Sequence, residues 1–306
     1  MAYLGAHLSA AGGVARAAAA ACRLGCEALQ IFLAPPGRWM RAVPAEEEQQ
    51  RFCALASSAP LAGRCFAHAP YLLNLASDCA ELRRRSVAAL VEELRTADLL
   101  GLTGVVLHPG SAGRGSRREA SARCREAVAE ALDMAGEGDT ALLLEGMAGS
   151  GGQLGSSVCE LAALVPPRRP GTGRSVGVCL DLAHLWAAGY DLHAGGWEIV
   201  LAELGECWGV SAPHLLHGND TPVECGSRKD RHAAPGEGVL GEKLFQSLLH
   251  DSRLADTPLV LEVPPGRDNQ LVAGALARLR AWQGGTFSRR GATDGERCGR
   301  RPVRGS

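Results

Sequence analysis

Eight short apolar runs alternate with longer Ala-rich or amphipathic runs along this chain of 306 residues, and few folds accommodate that order. The apolar runs fall at residues 2–8, 27–33, 64–68, 104–108, 141–145, 177–181, 214–217 and 258–262, and read as strands. Helical periodicity is predicted between them, over 14–24, 46–56, 80–100, 119–135 and 158–164. Strand and helix in strict alternation predict an α/β protein, a (β/α)8 TIM barrel; a doubly wound open sheet is the alternative. The ends of the strands favour the barrel. Six consecutive strands, the third to the eighth, finish in His68, His108, Glu145, Asp181, His217 and Glu262. A barrel brings the C-terminal ends of its strands to one face, so residues remote in sequence converge there.

The seventh strand opens into a long loop, residues 218–238, that carries Asp230 and His232, and His184 follows Asp181 by three residues. If the loop is extended near Asp230, that side chain and His232 point to the same side. The convergent set then comprises five His, two Glu and two Asp: His68, His108, Glu145, Asp181, His184, His217, Asp230, His232 and Glu262. One such residue alone is more often a satisfied core or loop group than a ligand. Six independent polar burials at one barrel mouth would each cost a few kcal/mol if unpaired, which makes metal binding the better reading. Nine ligands exceed what one ion uses and suit two or three, and imidazole with carboxylate favours Zn²⁺, with Mn²⁺ a substitute at the carboxylate-rich position. Clustered cations activate water and neutralise phosphate, so hydrolysis of a phosphodiester matches the set. Neither a Walker-type phosphate loop nor a Ser-His-Asp arrangement is evident.

The remaining composition bounds partners and setting. A net charge of −1 provides no bulk basic field, so any nucleic-acid contact must come from a local patch. With 46% hydrophobic residues the chain can bury one large domain, expected over residues 1–283. Beyond it a Gly- and Arg-rich stretch, 284–306, without periodicity, is expected to be a disordered tail. Eleven cysteines, an odd number without repeated C-x-x-C pairs, are expected to be reduced, buried thiols in a reducing compartment. No apolar run approaches the roughly 18 residues of a membrane span, and a cytoplasmic monomer is expected.

Specific motifs add a family. GAHLSAAGG at 5–13, HAPYLLNLAS at 68–77, LHPGS at 107–111, LLLE with AGSGGQLG through 155, GVCLDLAHLWAAGYDL at 177–192, HGND with GSRKDRH and PGEG through 238, and LE-x-P at 261–264 resemble the endonuclease IV family from about residue 3 to 283. The resemblance implies a (β/α)8 barrel whose three Zn²⁺ ions cleave duplex DNA 5′ to an abasic site, leaving a 3′-hydroxyl, in base excision repair. It implies that His68, His108 and Glu145 hold one ion, that Glu145, Asp181, His217 and Glu262 hold a second, and that His184, Asp230 and His232 hold a third. Glu145 and Glu262 are the residues expected to be catalytic.

DNA contact is expected from Tyr71 and Leu72, which follow His68 and suit a wedge into the base stack, and from Arg38 and Arg228. Arg114, Arg117, Arg118, Lys229 and Arg231 lie on the same face and suit phosphates. Arg168, Arg169 and Arg174 precede strand six, on the opposite face, where no DNA role is expected. Three positions depart from the family pattern. Gly146 replaces the usual Asn, Pro222 the usual Lys, and Gly37 a common basic residue. Two other readings compete: a divalent-metal sugar isomerase or epimerase on the same barrel, which leaves His184, Asp230 and His232 without work, and a non-catalytic binder of damaged DNA.

Overall fold

The computed structural model describes residues 1–34, 37–39, 42–167 and 174–284. Eight parallel strands, β1 Tyr3–Leu8, β2 Ala28–Phe32, β3 Cys65–His68, β4 Gly104–Leu107, β5 Ala141–Glu145, β6 Val176–Asp181, β7 Leu215–His217 and β8 Pro258–Leu261, pair in chain order. β8 returns to pair with β1, which closes the barrel and excludes the open sheet. Around it run α1 Val14–Arg23, α2 Glu46–Ala56, α3 Ala80–Leu99, α4 Arg117–Ala135, α5 Val158–Ala162, α6 Leu182–Ala188, α7 Gly196–Glu203, α8 Gly241–His250 and α9 Gln270–Trp282. No helix among the described residues is long and apolar enough to cross a membrane.

Side chains alternate along a strand with a period of two, and that period builds the barrel interior in layers. The lower layer is Ala28, Phe66, Val106, Leu143, Cys179, Leu215 and Val260, all buried. Two residues on along each strand come Gln30, His68, His108, Glu145, Asp181, His217 and Glu262. The polar layer therefore sits directly on an apolar floor. β1 contributes Gly5 and His7 in the same step, and Gly5 is required there. A Cβ on it would stand 2.6 Å from the carbonyl carbon of Ala28.

Local sequence sets several helix starts. Ser116 accepts a hydrogen bond from the Glu119 N–H and Ser157 from that of Glu160, each a Ser-x-x-Glu start that satisfies an otherwise orphan donor. The π-helical turn Leu204–Trp208 lies beside α5, where Cys159 and Cys207 form a disulfide. The expectation of uniformly reduced, buried cysteines is thus overturned at this pair. A separation of 48 residues without a spacing motif hides it from the sequence, and the packing of α5 on the π-turn creates it. Cys79 is free but exposed. The tail expected beyond residue 283 lies outside the described residues, apart from Gly284.

Candidate metal centre

All nine predicted ligands meet at the C-terminal mouth of the barrel. Glu145 is the hub. Its Oε2 lies 3.1 Å from His68 Nε2 and 3.0 Å from His108 Nε2, while its Oε1 lies 3.1 Å from His217 Nδ1. His217 Nδ1 is also 3.3 Å from Glu262 Oε2 and 3.8 Å from Asp181 Oδ2. Ligand atoms of His68, His108 and Glu145 therefore form one cluster, and those of Glu145, Asp181, His217 and Glu262 a second, each within 4.8 Å across. A third group joins Asp181, His184 and His232 within the same span. Asp230 stands between the two imidazoles of that group, with Oδ2 3.3 Å from His184 Nε2 and Oδ1 3.3 Å from His232 Nε2.

The strands and their flanks position these groups in distinct ways. Asp181 ends β6 and caps α6, its Oδ1 accepting from the backbone N–H groups of Ala183 at 2.7 Å and His184 at 3.1 Å. One carboxylate thus starts the helix that delivers His184. Asp220 holds the long loop: its carboxylate accepts from the backbone N–H of Thr221, Gly236, Gly238, Leu240 and Gly241 at 2.7–3.2 Å. Gly238 is needed for this approach, because a Cβ would stand 2.7 Å from the Asp220 Cγ. The antiparallel bridge of Asp220 with Ala233 then sets Asp230 and His232 over the mouth.

A carbonyl oxygen can only accept, so a ring nitrogen facing one carries the proton. His68 Nδ1 faces the Ala69 carbonyl at 2.7 Å and His184 Nδ1 that of Gly146 at 2.9 Å, which leaves Nε2 of each ring for a cation. His184 Nε2 and His232 Nε2 are buried with no hydrogen-bond partner. Two orphan nitrogens beside the Asp230 carboxylate, with Glu145, Asp181 and Glu262 nearly sealed from solvent around them, fit a site built to hold cations.

The electrostatics agree. Burial opposes ionisation of Glu145, and the charges of His108 and His217 overcome it, holding the carboxyl well below its ordinary range. Glu262 is held low in the same way, against burial, first by the charge of His217. Burial disfavours charge on His184, but Asp181, Asp230 and Glu145 push it well above its usual value. His217 is likewise raised against burial by the Cys179 sulfur and the carboxylates of Glu262 and Glu145. Asp230 is lowered, despite burial, by His184 and then His232. His184 and His217 are made cation-like by a field that a metal ion would satisfy better.

Above the ligands opens a cavity of about 280 Å³ lined by Tyr71, His108, Gln153, His184, Asp230, His232 and Glu262. Tyr71 is 53% exposed, with its ring 5.2 Å from those of His68 and His108, so it is a wall of the cleft and not a core residue. Leu72 beside it is also exposed. Arg228 is exposed on a backbone with φ 55°, pinned by its N–H to the Ala187 carbonyl at 2.9 Å and by its own carbonyl to Ser150 Oγ. Arg114, Arg118, Lys229, Arg231 and Arg38 are exposed as well. Arg117 is committed elsewhere, to Glu160 and the Gln153 carbonyl. Trp39 packs against the core under the Arg85 guanidinium, 4.3 Å from its ring. On the opposite face Arg174 is buried and tied to Asp98 and to the carbonyls of Gly136, Glu137 and Thr140; Arg168 and Arg169 lie outside the described residues.

Sequence reasoning missed four polar residues of this centre. Gln30 and His7 share the ligand layer, Asn219 ties Asp181 Oδ2 at 2.6 Å to the backbone N–H of Glu262 at 2.9 Å, and Gln153 lines the cleft. The two-residue step from the apolar floor was the signal for Gln30 and His7. Nothing in the spacing marks the other two.

Comparison with known proteins matches residues 17–282 to the xylose isomerase-like TIM barrel family. A protein of Nitratidesulfovibrio vulgaris named "Probable endonuclease 4" is 39% identical over 284 residues, 92% of this chain and 98% of its own length. The crystal structure of endonuclease IV from Thermus thermophilus superposes with a TM-score of 0.79 at 37% identity, covering 92% of this chain and 98% of that one. The chain belongs to the endonuclease IV family. Kinship of this depth makes it a nuclease enzyme. A D-tagatose 3-epimerase-like protein also superposes, with a TM-score of 0.65 at 16% identity and coverage of 92% and 98%, and that likeness is of fold alone.

Proposed function

We propose that this endonuclease IV family member hydrolyses the DNA backbone 5′ to an abasic site, leaving a 3′-hydroxyl, as a step of base excision repair. The observation that carries the reading is the convergence of eight His, Glu and Asp side chains around Glu145 beneath an open cleft. Three Zn²⁺ ions would use them all: one on His68, His108 and Glu145, one on Glu145, Asp181, His217 and Glu262, and one on His184, Asp230 and His232, with Mn²⁺ a substitute at the carboxylate-rich position. Such ions, when bound, make water more acidic, neutralise the phosphate and stabilise the leaving oxygen.

In this hydrolysis an oxygen from water bonds to phosphorus, the bond from phosphorus to the 3′-oxygen breaks, and that oxygen leaves with a proton. Glu262 lines the cleft and is the carboxylate placed to take the proton of the attacking water. Glu145 is sealed, so its part is to hold two cation sites in register. Tyr71 and Leu72 present an aromatic and an aliphatic side chain at the rim, suited to entering a base stack that an abasic site has already weakened. Arg228 and Arg38 supply local charge where the chain as a whole has none to spare. An epimerase reading leaves the Asp230 and His232 loop without a task.

The deciding experiment incubates the protein with a duplex carrying one abasic analogue, before and after chelation. A single incision 5′ to the analogue, lost on chelation and restored by Zn²⁺, is the expected result. Binding without incision in metal-replete buffer would favour a damaged-DNA binder. Indifference to the duplex, with turnover of a ketose or aldose, would favour the isomerase.

A further inference from the structure

Gln30 stands on β2, a strand that delivers no ligand, yet it occupies the ligand layer and is fully buried. Its register partner on β1 is His7. The carboxamide touches three groups: Nε2 is 2.7 Å from Glu262 Oε1 and 2.9 Å from His7 Nδ1, and Oε1 is 3.0 Å from His217 Nε2. Only one assignment of protons satisfies all three. An ionised carboxylate can only accept, so the amide nitrogen must face Glu262 and the amide oxygen must face His217. The oxygen in turn can only accept, so His217 Nε2 carries a proton and Nδ1 is the free nitrogen. Nδ1 is the atom that faces Glu145 and Glu262 Oε2. The second amide proton goes to His7 Nδ1, which then accepts and carries no proton toward Glu262 Oε1, 3.4 Å away; the acceptor-only Glu262 carboxylate is what holds the amide against a flip. The Cys179 sulfur, 3.6 Å from His217 Nε2, is the weaker alternative partner.

We infer that Gln30 is a positioning residue for the cation site of Glu145, Asp181, His217 and Glu262. One side chain selects which nitrogen of His217 and which oxygen of Glu262 face the site. It neither touches the cleft nor ligates. The inference rests on reading that cluster as a cation site, and it assigns the control of two ligands, one ending β7 and one just past β8, to a third strand.

The test uses the full chain with Zn²⁺ alone as probe. Gln30→Met keeps the volume and removes all three hydrogen bonds. Gln30→Glu keeps an acceptor for His217 but sets a second carboxylate against Glu262. Competition with a chromophoric chelator should show one ion per chain held roughly 10- to 100-fold more weakly in Gln30→Met, with the other ions unchanged. On the abasic duplex kcat should fall while KM holds, and excess Zn²⁺ should restore kcat, which a merely structural defect would not allow. Should Gln30→Met fail to fold, Gln30→Glu, nearly isosteric, is expected to show the same single labile ion. Variants that fold and hold every ion as tightly as the wild type would overturn the inference. Wild-type protein that takes up no Zn²⁺ would overturn the cation reading itself, and this inference with it.

Discussion

The carbonyl oxygen of Gly146 accepts a hydrogen bond from His184 Nδ1 at 2.9 Å, so the main chain, not the side chain, at this position orients the His184 ring. The departure from Asn here therefore leaves the bond to His184 intact. A Cβ at 146 would approach Leu180 Cδ2 most closely, at 3.3 Å, a contact that a small shift relieves, with the Cys179 and Gly155 carbonyl oxygens at ordinary contact distances of 3.9 and 4.0 Å. Gly146→Ala is expected to keep its metal and its rate, short of the roughly 10-fold loss that follows removal of a ligand's hydrogen-bond partner. Metal analysis and the incision assay check this, and a larger loss would mean that the backbone at 146 depends on glycine.

Glu145 sends one oxygen to His68 and His108 and the other to His217, so it belongs to two clusters at once. Glu145→Gln replaces one of those oxygens with a donor that opposes imidazole and cation alike. The variant should lose about two ions per chain, where His232→Ala should lose about one. Elemental analysis after gel filtration reads the difference, and equal losses would show that Glu145 does not bridge.

Asp220 ligates nothing in the proposed scheme, yet its carboxylate accepts from five backbone N–H groups of one loop. Each donor left unsatisfied costs about 1–3 kcal/mol, so Asp220→Ala is expected to destabilise the fold by several kcal/mol and to release the ion assigned to His184, Asp230 and His232 first. Urea unfolding paired with metal counts tests the order. Loss of the His68 ion before that one would contradict it.

Those five bonds also mark where the sequence was readable and where it was not. The barrel was legible because its strands repeat a hydrophobic run closed by a ligand-type residue, and the helices 46–56 and 80–99 lie within a residue of expectation. Helix α6 was hidden, since its cap, Asp181, reads as the end of a strand and its first turn is apolar. Gln30 falls at the two-residue step from the apolar floor, but a carboxamide in a run of Ala, Leu and Ile carries no chemical label of its role. Only the pairing of β2 with β1, which sets it beside His7, reveals its work. The Cys159–Cys207 bond likewise depends on a π-turn that no periodicity announces.

Tyr71 lies 5.4 Å from Phe32 and 5.2 Å from His108, so its ring is held upright at the rim before any duplex arrives. Tyr71→Ala should reduce discrimination between abasic and intact duplex by about one order of magnitude, with metal content unchanged. Arg228→Ala should weaken both kinds of binding and flatten the dependence on salt. Competition binding at two salt concentrations separates the two effects. Full discrimination in Tyr71→Ala would shift the wedge role to Leu72.

Glu93 provides a pH dependence that is independent of the metal centre. It sits on α3 with 4% of its surface exposed, and one carboxylate oxygen has no partner among the described residues. Burial pushes its pKa up to about 8, offset in part by the N–H of Ala34. In the unfolded chain a Glu titrates near its ordinary value of about 4.3. Below that value both states hold the proton, so the folded state suffers no penalty from ionisation. As pH climbs from about 4.3 toward 8 the unfolded chain releases the proton while the folded chain retains it, and stability falls by up to about 1.4 kcal/mol per unit. Above pH 8 both states are ionised and the decline stops. Glu93→Gln keeps an acceptor for Ala34 and cannot titrate, so its urea midpoint, measured in metal-replete buffer at pH 5.5 and at pH 8, should fall less between the two than that of the wild type. Equal declines in the two proteins would assign the pH dependence to other groups.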